Sequence, residues 1–162
     1  KVLDINEWQN KRISKIVTEK MFGTIYRKKI AILGFSFKAN TNDTRESPAI
    51  NICLDLLEEG ATLKIYDPRV KSKQIEKEIS KKKDKNIIYE GKWIKVENIY
   101  ESFNEADAII VLTEWQEFKN LNWEEISSLM KKPSWVFDTR LILSPEILKK
   151  YNFDLWSLGS PQ

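Results

Sequence analysis

Between Lys29 and Pro48 the chain reads KIAILGFSFKANTNDTRESP, and Lys38, Asp43, Arg45 and Glu46 fall together in its polar second half. An ammonium and a guanidinium placed by rigid backbone are the groups that hold a diphosphate or another oxyanion. The two acids read as groups that orient Lys38 and Arg45, since two neighbouring cations would otherwise repel, rather than as acid/base catalysts. A second guanidinium, Arg140, follows the apolar stretch SWVFD, and Thr113, Glu114 and Trp115 follow ADAIIVL. Spacing alone gives Arg140 no more than a surface ion pair, and Trp115 a packing role ahead of a ligand contact.

Other chemistries are limited by composition. The 162 residues contain no histidine, so a histidine triad or histidine-rich metal site is excluded within them. The single cysteine, Cys53, shares an apolar helical face with Ile50, Leu54 and Leu57 and reads as a small core residue. A net charge of +3 gives no reason to invoke nucleic acid or a membrane surface. The basic run Lys71 to Lys85 reads as a solvated helix end and loop. With no signal-peptide pattern and no apolar run of membrane-spanning length, a reducing cytoplasm is the expected compartment. A start at Lys1, within an amphipathic stretch and without an initiating Met, leads us to expect a fragment.

The elements that must position these residues follow from periodicity. Ile30 to Leu33 is a short apolar run ended by Gly34, as in a strand covered on both faces. Ser47 and Pro48 suit the N-cap and first position of a helix running to Glu59, which Gly60 stops. A helix over Ile5 to Phe22, capped by Asn6 and stopped at Gly23, precedes the strand; its Trp8 and Ile13 are open between core and interface. Further strands are expected at Thr62 to Tyr66, near Trp93 to Val96 at an edge, at Ala106 to Leu112, at Ser134 to Asp138 and at Phe153 to Leu158. Helices are expected at Val70 to Ser80, Ile99 to Phe103, Trp123 to Met130 with Asn122 as cap, and Pro145 to Lys150. The segment Lys81 to Lys95 reads as an insertion, and Gly159 to Gln162 as a tail.

This alternation predicts an α/β, Rossmann-like doubly wound and mainly parallel sheet of five to six strands with helices on both faces, preceded by an N-terminal linking helix. Right-handed crossovers would set the ends of the first and fourth strands side by side, where Lys38, Arg45, Thr113 and Arg140 would converge. Asp67, ending the second strand, sits where a dinucleotide-binding fold places its ribose-binding acid. However, the first turn reads GFSFKAN and lacks G-x-G-x-x-G, so Asp67 reads as a structural turn cap and the usual dinucleotide crevice as unused.

The string FK-x-x-T-x-D-T-R-E-S-P from Phe37 to Pro48, followed in order by IYDP (Ile65 to Pro68), LTEW (Leu112 to Trp115) and FDTR (Phe137 to Arg140), resembles the UDP-glucose/GDP-mannose dehydrogenase family. Among its members the UDP-glucose 6-dehydrogenases are most similar, and the resemblance covers nearly the whole chain. It implies a linking and dimerisation helix over 1–24 and the C-terminal, UDP-binding domain over 25–162. It also implies substrate contacts from Phe37, Lys38 and Arg140, and a contact from Arg45 to an NAD bound mainly by a domain not present here. The implied reaction is two-step oxidation of UDP-glucose to UDP-glucuronate through a covalent intermediate on a cysteine. That nucleophile lies in a Gly-Gly-x-Cys context absent from this chain, so Cys53 is not it. No catalytic residue and no metal ligand is assigned here. The chain alone is expected to be inactive, with the rest of the enzyme as its partner in a homo-oligomer. Two alternatives remain: the equivalent domain of a UDP-N-acetylmannosamine or GDP-mannose dehydrogenase, and a non-catalytic nucleotide- or anion-binding or oligomerisation module.

Overall fold

The computed structural model describes residues 2–158, with side chains described from Asn10 onward. In order, the chain forms α1 (Val2–Lys20), β1 (Lys29–Leu33), α2 (Pro48–Glu58), β2 (Thr62–Tyr66), α3 (Ser72–Lys82), β3 (Lys92–Lys95), β4 (Ala108–Val111), α4 (Trp123–Leu129), β5 (Ser134–Asp138), α5 (Pro145–Lys150) and β6 (Phe153–Ser157). Two 3-10 turns, Ile99–Phe103 and Gln116–Asn120, flank β4; the sequence pattern signals the first but not the second. The six strands run in the order β3-β2-β1-β4-β5-β6, every neighbouring pair parallel. This is the doubly wound arrangement, with its switch point between β1 and β4.

Side chains alternate along the central strands and so feed two cores. Ile30 and Ile32 of β1, with Ala108 and Ile110 of β4, pack against α1, α2 and α3. Ala31, Leu33, Ile109 and Val111 face the opposite layer, built by the 3-10 turns, α4 and α5. Both faces are covered, which explains why β1 and β4 read as unbroken apolar runs. Ile13 and Val17 of α1, with Met21 just beyond its end, belong to the first core, which answers the question for Ile13. The Trp8 side chain lies outside the described residues, as does the 159–162 tail.

Local signals set most of the boundaries. Ser47 caps α2, its hydroxyl accepting from the Ala49 N–H at 3.2 Å, with Pro48 in the first turn. Asn122 and Ser144 cap α4 and α5 in the same way. Gly23 takes a φ of 89° beyond the end of α1. Asn6 does not cap that helix, which begins at Val2; nothing in the residues before Asn6 breaks a helix, so it extends to them. The third helix starts two residues later than its pattern suggests, after an extended Lys71.

Candidate functional site

The strand ends that meet at the switch point are level. Leu33 pairs with Tyr66 on one side and Val111 on the other, and Val111 pairs with Asp138. The next residues therefore leave the sheet together, and the loops after β2, β1, β4 and β5 share one rim. Phe37, Lys38, Arg45 and Arg140 all lie on these loops and are all exposed.

Two carboxylates hold the rim. Asp67, fully buried, accepts at Oδ2 from the Phe35 N–H (2.8 Å), the Ser36 N–H (3.0 Å) and the Trp115 indole N–H (3.1 Å). Its Oδ1 accepts from the Arg69 and Val70 N–H groups. It is thus a structural cap, but its reach extends beyond its own turn to the loops after β1 and β4. The amides that would otherwise cradle a pyrophosphate after the first strand are already bonded to this acid, so the chain's own crevice does not fit a dinucleotide. Asp138 does the same after β5, accepting from the N–H groups of Arg140, Ile142 and Leu143. Sequence reasoning missed this role, although an acid immediately after a buried run was its visible signal.

The loops after β1 and β4 touch directly. A Cβ on Gly34, whose φ is 99°, would lie 2.4 Å from the Thr113 Cβ, so only glycine fits. Thr113 is fully buried and donates its hydroxyl to the Ser36 carbonyl at 3.0 Å. It therefore braces the two loops and does not line a cleft with Lys38 and the arginines: its one hydrogen is spent inside the protein. Trp115 packs in the second core, the packing role expected of it ahead of a ligand contact.

Arg45 and Asp43 form a fork, Nε to Oδ1 at 3.0 Å and Nη2 to Oδ2 at 3.1 Å, with the Arg45 N–H also on Oδ1. The hydrogen bond to Asp43 raises the Arg45 pKa, and the same bond lowers that of Asp43. Asp43 therefore orients Arg45 as expected. Neither acid orients Lys38: both Asp43 oxygens are taken by Arg45, and among the described residues no hydrogen bond or ion pair joins the Lys38 ammonium or the Glu46 carboxylate to a partner. Arg140 Nη2 lies 3.0 Å from Glu114 Oε1, an ion pair without an aligned hydrogen bond, which ties the β5 loop to the β4 loop. The sequence names Glu114 within LTEW but assigns it no role.

The rim is open. Phe37 is 48% and Leu141 63% exposed, a large apolar exposure beside the cations of the rim. Concave patches of about 300 Å³ between α1 and α2, and about 620 Å³ beside the start of α3, involve none of Phe37, Lys38, Arg45 or Arg140. All four side chains thus stand open to solvent on one rim. Cys53 is buried, and burial pushes its thiol pKa up, so it is not a nucleophile.

Residues 31–145 match the family model for the UDP-glucose/GDP-mannose dehydrogenase family, UDP binding domain. UDP-glucose 6-dehydrogenase 4 of Arabidopsis thaliana is 40% identical over 99% of this chain and 35% of its own length. The UDP-glucose 6-dehydrogenase of Drosophila melanogaster is 40% identical over 98% of this chain and 34% of its own. The solved structure of a UDP-D-ManNAc dehydrogenase from Pyrococcus horikoshii shares the fold, with a TM-score of 0.69 at 24% identity over 94% of this chain and 30% of that one. This chain thus spans about a third of the length of the curated relatives it matches. The motifs of the exposed rim and the buried carboxylate that organises it fall within the matched span, and the chain belongs to the UDP-glucose/GDP-mannose dehydrogenase family, as its UDP binding domain.

Proposed function

We propose that this chain is the substrate-closing part of an NAD-dependent UDP-glucose 6-dehydrogenase, which oxidises UDP-glucose to UDP-glucuronate in two steps. The observation that carries the reading is an exposed wall: Phe37, Lys38, Arg45 and Arg140, all open to solvent, project from loops fixed by Asp67 and Asp138. Such a wall needs a second domain to complete it. Lys38 and Arg140 would hold the diphosphate and sugar of the nucleotide, and the exposed ring of Phe37 would cover its apolar face. Arg45, presented by Asp43 with guanidinium hydrogens to spare, suits an anionic group of NAD held by the other domain. NAD supplies the acceptor for hydride; this chain's residues bind, orient and exclude water.

UDP-glucose is preferred over UDP-N-acetylmannosamine or GDP-mannose because the relatives named for UDP-glucose match at 40% identity over almost the whole chain. Residues 1–24 would be a linking helix that also builds a homo-oligomer, and 25–162 the UDP-binding domain, in a cytoplasmic enzyme. Among the described residues no helix is long and apolar enough to cross a membrane. The test is NADH formation by the full-length enzyme with each of the three sugar nucleotides, beside the 162-residue chain alone. UDP-glucose should be turned over fastest, and the isolated chain should produce no NADH. Turnover by the isolated chain, or preference for another sugar nucleotide, would overturn the reading.

A further inference from the structure

The loop that carries Arg45 is held from two sides. At its neck the Phe37 N–H donates to the Asp43 carbonyl at 2.7 Å, and the Ser47 hydroxyl donates to the Phe35 carbonyl at 2.8 Å. Its outer half is held by α3, which contributes nothing to the rim itself. Gln74 Nε2 donates to the Asn42 carbonyl at 2.9 Å, and Glu78 Oε2 accepts from the Thr44 hydroxyl at 2.9 Å. Gln74 and Glu78 stand one turn apart on a single face of the helix. They grip the residues on either side of Asp43, whose carboxylate forks Arg45.

The Glu78 bond is made in a buried setting: Thr44 is 5% and Glu78 7% exposed, so either partner left without the other would be a buried polar group lacking a hydrogen bond. The side-chain oxygen of a glutamine would accept the same hydroxyl bond.

We propose that Glu78, assisted by Gln74, is a positioning residue: through Thr44 it fixes the loop that presents Arg45 to the dinucleotide. This rests on the reading of Arg45 as the NAD contact. The helix α3 then acts as a clamp, set behind the loop and away from the substrate.

The test uses the full-length enzyme. Thr44→Val, which keeps the shape but removes the donor, and Glu78→Leu should each raise KM for NAD about tenfold, the size of one lost hydrogen bond, with KM for UDP-glucose within about twofold of wild type. Thr44→Ser and Glu78→Gln should each restore KM for NAD to within about threefold of wild type, because the bond is remade. Hydrogen exchange at the Phe37 and Ser47 amides should speed up about tenfold in the first pair and remain slow in the second. The double variant Thr44→Val/Glu78→Leu leaves no orphaned polar atom and serves if either single variant fails to fold. Unchanged exchange at those amides, or equal rises in KM for both substrates, would overturn the clamp. Arg45→Ala separates the two ideas: if it leaves KM for NAD unmoved, the Arg45 assignment falls, and the exchange measurement alone decides whether Glu78 holds the loop.

Discussion

The Trp115 indole N–H donates to Asp67 Oδ2 at 3.1 Å, joining the loop after β4 to the loop after β2 across the end of β1. The same oxygen accepts the Phe35 and Ser36 amides, so one buried acid sets the position of three strand ends. In a dinucleotide-binding sheet these amides would face a phosphate. Here a carboxylate of the protein has taken that place, and the exposed side chains of Phe37, Lys38, Arg45 and Arg140 lie on the rim.

Removing that acid should loosen the rim before it affects any ligand. Asp67→Ala leaves several buried N–H groups without an acceptor, and a loss of about 3–5 kcal/mol is expected. Trp115→Phe removes only the indole bond and should cost about 1–2 kcal/mol. Denaturant melts of both variants check this; equal and small losses would mean that the Asp67 bonds contribute little.

Glu114 is expected to act on substrate through Arg140. The pair is partly in water, so its own contribution to stability is under about 1 kcal/mol. Glu114→Gln should leave the melt unchanged and raise KM for UDP-glucose by about two- to fivefold through a less well-placed guanidinium. Steady-state kinetics of the full-length enzyme measures this, and a change confined to KM for NAD would refute it.

Asp55, on α2, offers a pH test remote from the rim. Burial raises its carboxyl pKa, and the Ser14 hydroxyl bond at 3.1 Å and Lys11 offset this only in part. A raised native pKa means that the folded chain holds the proton more readily than the unfolded one. Stability from this group is therefore present below the ordinary carboxylate range and lost as pH rises through the higher native value. Asp55→Asn should stabilise at pH 7 by under about 1 kcal/mol, reduced by partial hydration, with the advantage gone in acid. Thermal melts of both proteins across pH 3 to 7 would show whether the curves converge, as about one titrating group demands.

The sheet was legible because its central strands β1 and β4 are apolar on both faces and its helices carry their own punctuation: Ser47-Pro48, Gly60, Asn122. The turn Gln116–Asn120 was not, because QEFKN carries no helical period and is held by Phe118 entering the second core. At the site, residue types named the cations but not their partners. Asp43 to Arg45 is a local contact that spacing suggests, whereas Asp67 to Trp115, Glu78 to Thr44 and Glu114 to Arg140 join segments far apart in sequence. Thr113 was misjudged for the same reason, since only the close approach of Gly34 shows that its hydroxyl is enclosed. Contacts of this kind are fixed by tertiary packing and leave no periodic trace.

The most direct measurement is kcat/KM of the full-length enzyme for UDP-glucose, with NAD saturating, for Lys38→Ala and, separately, Arg140→Ala, with melts run in parallel. If these two cations hold the sugar nucleotide, each substitution should cost about 1.5–3 kcal/mol in kcat/KM, roughly 10- to 150-fold, with an unchanged melt. Near-normal kinetics in both variants would contradict the account and leave the rim as a surface for packing and assembly.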